Sequence, residues 1–238
     1  MKLLALECSA TAASVALCTR DKVIGEYFLS TGQTHSQTLL PMTEQLLHTS
    51  GETLAGVELL AVSVGPGSFT GLRIGISAVK GIAMGANKPC VAVSTLEALA
   101  YNLCGFEGIA ASVMDARCGQ VYCALFHLED GRVSRICPDS AMTIADLGKI
   151  LGEEKKPVFL VGDGAMLCYN ILLENVPGLR LAPPHLRLQR AASVGACAWQ
   201  QYERQGAVSA AALAPTYLRL PQAERELKRK EATGGSAS

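Results

Sequence analysis

The glycine-rich segment GPGSFTGLRIG, residues 65–75, has the composition of a loop that could hold a phosphate group. It follows a predicted strand and opens a predicted helix, and the N-terminus of a helix presents free backbone N–H groups to anions. Its spacing nevertheless fits neither common phosphate-binding pattern. No lysine follows in the P-loop register, and Thr70 stands where the dinucleotide pattern has its third glycine. The residues therefore favour a tight strand-to-helix turn with close packing.

Two further catalytic arrangements fail on spacing. Ser68 lies one position too late for the G-x-S-x-G nucleophile turn, and no His/Asp pair is suggested near it. The histidines are too widely separated for a metal-binding motif and lack the H-x-x-x-H spacing; they are His35, His48, His127 and His185. The sequence thus predicts neither a serine hydrolase nor a metalloenzyme.

The segment MDARCG brings three reactive residue types together, namely Asp115, Arg117 and Cys118. A thiol beside a guanidinium can be reactive, although an ordinary cysteine is the simpler interpretation. The nine cysteines contain no C-x-x-C pair, so we expect neither a disulfide framework nor a structural zinc site. Reduced thiols are typical of a cytoplasmic protein.

Composition excludes further classes of function. Lysine plus arginine equals aspartate plus glutamate at 21 each, so no overall basic field attracts nucleic acid, and we expect only weak tRNA binding by the chain alone. No run reaches the ~20 apolar residues that span a bilayer. With 49% hydrophobic residues, the chain has ample material for a packed core.

The order of predicted elements repeats. Three strands, a helix, a strand and a helix occur twice, which predicts two related α/β halves. We expect the first lobe at residues 1–104, the second at 105–221, and a disordered tail at 222–238.

The predicted helix at 69–85 is apolar on nearly all sides, so it must be covered on more than one side. A stripe of small residues, Gly71, Gly75, Ala78 and Gly85, runs along it. We expect this stripe to pack inward on the sheet and a neighbouring apolar stripe to face outward. That outer cover could come from the chain itself or from another protein, and the residues alone do not choose between them.

Six segments together resemble the bacterial TsaB (YeaZ) family: LLALECS, HSQTLLPMTEQLL, GPGSFTGLRIG, MDARCGQVY, VGDGA and PTYLR. The resemblance covers roughly residues 1–220, and GPGSFTGLRIG is its most specific marker. It implies the two-lobed actin/Hsp70/sugar-kinase (ASKHA) fold with duplicated β-β-β-α-β-α topology. It also implies a role in placing threonylcarbamoyl on N6 of adenosine 37 in tRNAs that read ANN codons.

The family is a non-catalytic relative of the transferase TsaD, which it binds, with the ATPase TsaE joining the complex. The resemblance therefore implies a scaffold that contacts TsaD through helices 36–48 and 69–85, or forms a homodimer when TsaD is absent, and that reaches tRNA only through the complex. The expected partner-binding residues are Ser36, Leu39, Leu40, Thr43, Leu46 and Leu47 on the first helix, and Leu72, Arg73, Ile76, Val79, Lys80 and Ala83 on the second.

An enzyme of the same fold is the alternative. Active members use an acidic residue on the first hairpin, and Glu7 stands there where the family commonly has aspartate. Asp115 would belong to the second phosphate turn, and Gly162 and Gly164 to the nucleotide side. These remnants are too sparse for a convincing ATP site, and the paired metal-binding histidines of the catalytic subunit are missing. We expect no cofactor and no metal, with a weak ATPase or kinase that uses Glu7 and Asp115 as the second hypothesis.

Overall fold

The first half of the chain builds a five-stranded mixed sheet around its most apolar strands. This computed structural model describes residues 1–219, so the predicted tail at 222–238 lies outside the described residues. The strands are β1 (Leu3–Glu7), β2 (Ala13–Cys18), β3 (Val23–Leu29), β4 (Leu59–Gly65) and β5 (Cys90–Ser94), in the spatial order β3-β2-β1-β4-β5. Every residue of β1, β2 and β4 is buried, as expected for strands covered on both faces.

Helices α1 (His35–Thr49) and α2 (Phe69–Ala86) cover one face of this sheet, whereas α3 (Thr95–Tyr101) places Leu96 and Leu99 in a core with residues of the second half. Successive residues of a strand point to opposite faces. Accordingly, Leu4 and Leu6 belong to the core beneath α1 and α2, whereas Leu3 and Ala5 belong to the core on the other face. Gly51 follows α1 with φ of +68°, the left-handed conformation expected of a glycine at that point.

The second half repeats the plan. Its strands are β6 (Gly108–Asp115), β7 (Gln120–Glu129), β8 (Arg132–Arg135), β9 (Ser140–Thr143), β10 (Val158–Val161) and β11 (Leu179–Leu181), and its helices are α4 (Ile144–Gly152), α5 (Ala165–Leu172) and α6 (Ala191–Gln205). The order β11-β10-β6-β7-β8 matches the first sheet when β9, which pairs with β7, is set aside. The predicted ASKHA fold with its duplicated topology is confirmed.

Helix α6 departs from the predicted halves, because it packs on the first sheet rather than the second. Its apolar side, including Val194 and Trp199, shares a core with Leu3 and Ala5. Two first-lobe groups accept bonds from its first N–H groups: Ser14 Oγ from Ala191 at 3.1 Å, and the Glu26 carboxylate from Ala192 at 3.1 Å. Helix α6, which follows the predicted boundary between 104 and 105, thus lies against the first sheet, and the division into lobes at that point stays a prediction.

The lobes also meet through polar side chains. Arg135 of β8 donates to Glu97 of α3 at 2.9 Å and to Asp139 at 2.5 Å, while Ser94 donates to Asp139 at 2.7 Å. Over the part of the chain that is described, no helix is both long and apolar enough to cross a bilayer.

Candidate partner-binding face and inter-lobe cleft

The glycines of the 65–75 segment bring α2 against the end of β1. A Cβ at Gly67 would lie 2.5 Å from the carbonyl oxygen of Ser9, and one at Gly71 would overlap the carbonyl oxygen of Cys8. At Gly75 it would lie 2.7 Å from Cys8 Sγ. The expectation that the small stripe packs inward is confirmed for Gly71 and Gly75 but wrong for Gly85, which is exposed, and for Ala78, which is partly exposed. The close contacts account for glycine at positions 71 and 75, where alanine would otherwise be favoured in a helix by about 1 kcal/mol.

This packing uses the polar atoms of the β1–β2 turn, where a phosphate would have to bind. The N–H of Ser9 donates to Glu7 at 2.6 Å, and its carbonyl accepts from the N–H of Ser68 at 2.7 Å. The carbonyl of Ala10 lies 2.7 Å from His35 Nε2. The N–H groups of Ser9 and Ser68, the donors that a phosphate cradle would need free, are therefore already bonded within the chain.

Glu7 is sealed in the first lobe, with only 1% of its surface exposed. Its carboxylate accepts hydrogen bonds from Ser63 Oγ and the N–H of Ser9. Burial raises the pKa of Glu7, and the bonds from Ser63 and Ser9 oppose that shift. The side chain does not line the inter-lobe cleft, so the hypothesis of an ATPase that uses Glu7 together with Asp115 lacks a shared site.

The second lobe has a comparable strand-to-helix turn at 162–165. Gly162 has φ of +116°, and a Cβ there would overlap the carbonyl oxygen of Val113. A Cβ at Gly164 would lie 3.0 Å from the backbone N of Asp115. These glycines, predicted to be remnants of a nucleotide site, thus hold the turn against the end of β6.

A cleft of about 330 Å³ lies between the lobes. Two carboxylates line it: Asp115 accepts from the backbone N–H of Arg117 at 2.7 Å, and Asp163 accepts from Gln189 at 2.9 Å. Burial raises the pKa of Asp163, and its bond from Gln189 opposes the shift. On the first-lobe side the wall is formed by residues 9–11, the 66–69 turn and residues 216–219.

The predicted partner-binding residues divide by burial. Seven of them belong to the interior of the chain itself: Leu39, Thr43, Leu46, Leu72, Ile76, Val79 and Ala83, none more than 5% exposed. The expectation that these side chains face outward is wrong, because α1 and α2 turn them onto the sheet. The side of α2 opposite the predicted one is the exposed side.

The other five predicted residues remain accessible. Ser36, Leu40 and Arg73 are exposed, while Leu47 and Lys80 are partly exposed. Arg73 stacks over the Phe69 ring at 3.7 Å from its centroid, and Lys80 Nζ reaches the carbonyl of Ala211 at 3.4 Å. Binding of a partner by these five residues stays a prediction.

The sequence reasoning missed the solvent side of α2, here called the outer face. It consists of Ile74, Ala78, Gly81, Ile82 and Gly85, all exposed or partly exposed. A Cβ at Gly81 or Gly85 would meet no atom within 4 Å. Ala78 and Gly85 of this face belong to the stripe that was predicted to pack inward.

The spacing of the cysteines and histidines predicts that the chain has neither a disulfide framework nor a metal-binding motif. All nine cysteines are free thiols, and burial raises the pKa of Cys90 to about 11 and of Cys18 and Cys168 to about 12. No cluster of three or more His, Cys, Asp or Glu side chains suited to a metal ion occurs within residues 1–219.

Two sheets of equivalent strand order, each covered by helices and facing a common cleft, define a two-lobed ASKHA protein. A sequence model described as TsaD, tRNA N6-adenosine threonylcarbamoyltransferase, matches residues 22–227. The chain is 32% identical to the tRNA threonylcarbamoyladenosine biosynthesis protein TsaB of Bacillus subtilis, over 94% of this chain and 96% of that protein. It therefore belongs to the TsaB (YeaZ) family of tRNA threonylcarbamoyladenosine biosynthesis.

Solved structures agree with this membership. YeaZ from Pseudomonas aeruginosa superposes with a TM-score of 0.74 at 29% identity, covering 91% of this chain and 99% of that one. The (R)-2-hydroxyglutaryl-CoA dehydratase component A of Acidaminococcus fermentans reaches a TM-score of 0.51 at 11% identity, covering 84% of this chain and 97% of that one. The second similarity extends to the fold alone.

Proposed function

We propose that this chain is a non-catalytic accessory subunit that binds TsaD through the outer face of α2 and the exposed residues of α1. The membership in the TsaB family and the match to the transferase sequence model support this proposal. Two chains of one fold can meet through equivalent helices, which gives a four-helix contact. The subunit would hold TsaD in a productive state while TsaD transfers the threonylcarbamoyl group.

The observation that carries the proposal is the composition of the outer face. Gly81 and Gly85 are not required by any contact within the described chain, because a Cβ at either would point into open space. Each nevertheless costs the helix about 1 kcal/mol relative to alanine. Small residues beside Ile74 and Ile82 would let a partner helix approach closely, since the distance between packed helices depends on the side chains between them.

Two observations support the non-catalytic role. The carboxylate of Glu7 is buried and bonded to Ser63 and Ser9. The N–H groups of Ser9 and Ser68, which could otherwise donate to a phosphate, are also bonded, to Glu7 and to the Ser9 carbonyl respectively. A subunit of this kind would bind ATP weakly when isolated and would hydrolyse it negligibly.

The proposal extends to a homodimer, to TsaE and to tRNA. An apolar helix pair can be self-complementary around a two-fold axis, so the chain would form a homodimer when TsaD is absent. TsaE would join the TsaD complex. Because the net charge is zero, tRNA would be reached through the complex rather than by this chain, which would act in the cytoplasm.

The proposal is tested by filling the outer face at Gly81. Gly81→Arg places a bulky charged side chain where a partner helix would lie, while its Cβ meets nothing in the free chain. We expect normal folding and at least a tenfold loss of affinity for TsaD in titration calorimetry, with the homodimer lost in sedimentation velocity.

Gly152→Arg is the matched control, because Gly152 ends α4 in the second lobe and a Cβ there also meets nothing within 4 Å. This variant should bind TsaD like the wild type. A folded Gly81→Arg protein with wild-type affinity would contradict the proposed docking face.

A further inference from the structure

Residues 216–219, here called the C-terminal strap, run along the cleft and contact both lobes. Before the strap, Ala210 and Leu213 are buried in the core under α2, and Val208 pairs with Cys90 of β5. The base of the strap is thus anchored on the first lobe, and its end extends toward the second.

The strap continues along the end of β4. The N–H of Thr216 donates to the carbonyl of Val64 at 2.7 Å. Gly65 makes this approach possible, because a Cβ there would overlap the carbonyl oxygen of Thr216, and its φ of +129° suits glycine. The strap therefore lies directly on the turn that leads into α2.

Tyr217 ties the strap to the first turns of α2. Its ring stacks on Phe69 with centroids 4.9 Å apart, and its hydroxyl accepts a bond from Arg73 Nε at 3.1 Å. The Arg73 guanidinium lies over the same Phe69 ring. These three side chains form one stacked unit on the surface of the first lobe.

Arg219 ties the strap to the second lobe. Its guanidinium donates from Nη1 to the carbonyl of Ala116 at 2.8 Å. Ala116 belongs to the turn at 116–119, in which Arg117, Cys118 and Gly119 all have positive φ. Within the described residues, this is the strap's hydrogen bond to the second lobe.

We propose that the C-terminal strap is a latch across the inter-lobe cleft. With Arg219 bonded to Ala116, the latch holds the lobes at a fixed opening and orders the first turns of α2. When Arg219 is released, the cleft opens and the stack of Tyr217 on Phe69 loosens. This inference does not rest on the proposed function, because it can be tested in the isolated full-length chain without a partner.

Hydrogen exchange followed by mass spectrometry tests the latch in the full-length chain. Arg219→Ala should speed amide exchange in the 116–122 turn and in residues 69–73 by roughly two- to tenfold, the range that loss of one hydrogen bond would produce. Tyr217→Ala should give the same effect at 69–73, and Tyr217→Phe, which keeps the stacked ring, should give a smaller one.

Arg132→Ala is the control, because Arg132 is an exposed arginine of the second lobe that lies outside the cleft. It should leave exchange at 69–73 and 116–122 unchanged. Faster exchange confined to residues 216–219 in Arg219→Ala, with both other regions at wild-type rates, would show a loose terminal segment and overturn the latch.

Discussion

Glu7 and Asp115 close the first strand of their respective lobes, yet their environments are opposite. Glu7 is buried and receives bonds from Ser63 and Ser9. Asp115 lines the cleft, and its carboxylate pairs with Arg117, whose side chain is 78% exposed. Equal topology therefore does not give equal chemistry: the first lobe uses its acid to fix a turn, whereas the second leaves its acid accessible.

Substitutions at the glycines that pack against the ends of β1 and β6 should give the largest losses of unfolding free energy in the two lobes. We expect Gly162→Ala to destabilise the protein by about 3–4 kcal/mol, because it combines backbone overlap at Val113 with an unfavourable φ. Gly71→Ala should cost about 2 kcal/mol, from overlap with Cys8 alone. Urea unfolding followed by circular dichroism measures both.

Gly85→Ala is the control for these two variants, since a Cβ there meets no neighbour. It should stabilise the chain by up to about 1 kcal/mol. If Gly71→Ala were as stable as Gly85→Ala, the close contact between α2 and the end of β1 would be wrong.

Removing a hydrogen-bond donor of the buried Glu7 should give the next largest loss of stability. Ser63→Ala leaves the buried Glu7 carboxylate without its hydroxyl donor, so we expect a loss of about 1–3 kcal/mol at neutral pH. The measurement is again urea unfolding. Ser134→Ala is a suitable control, because Ser134 is an exposed residue of β8, and its loss should change little. Equal stability of the two variants would contradict the role given to Ser63.

The pH dependence of the unfolding free energy tests whether Glu7 contributes as a titrating carboxyl group or only through packing. Its pKa in the folded state lies above the ordinary 4.5. In the folded chain Glu7 therefore stays protonated to a higher pH than in the unfolded chain. Its contribution to stability is complete below 4.5 and is lost as the pH rises through the folded pKa. Glu7→Gln should remove this fall from the stability curve, and a parallel curve for the variant would contradict the assignment.

The accessible acid gives the smallest effect. Asp115→Asn removes a pair with Arg117, whose side chain is 78% exposed, so we expect a change in unfolding free energy of less than about 1 kcal/mol. A loss as large as that of Ser63→Ala would mean that Asp115 is as deeply built into its lobe as Glu7, and the comparison would fail.

The repeat of elements was predictable, because hydrophobic periodicity and turn residues act locally. Two short strands, β9 and β11, were missed, since three or four residues carry too little pattern. Of the stripe predicted to pack inward, Gly71 and Gly75 do so, whereas Ala78 and Gly85 lie toward solvent.

The exposed side of α2 was predicted wrongly. Leu72 and Ile76 are buried, while Ile74 and Ile82 are accessible, and periodicity cannot rank the sides of a helix that is apolar all round. The docking of α6 on the first sheet depends on contacts between residues such as Ser14 and Ala191, which are distant in sequence. Local signals do not contain such information.

The position of α6 also sets an order for folding during synthesis. One face of the first sheet, with Leu3 and Ala5, receives its cover from residues 191–205. At ribosomal rates of about 5–20 residues per second, that cover emerges about 10–40 s after the first strand. Throughout this interval the nascent first lobe presents an open apolar sheet, which is a surface that chaperones recognise and that promotes aggregation.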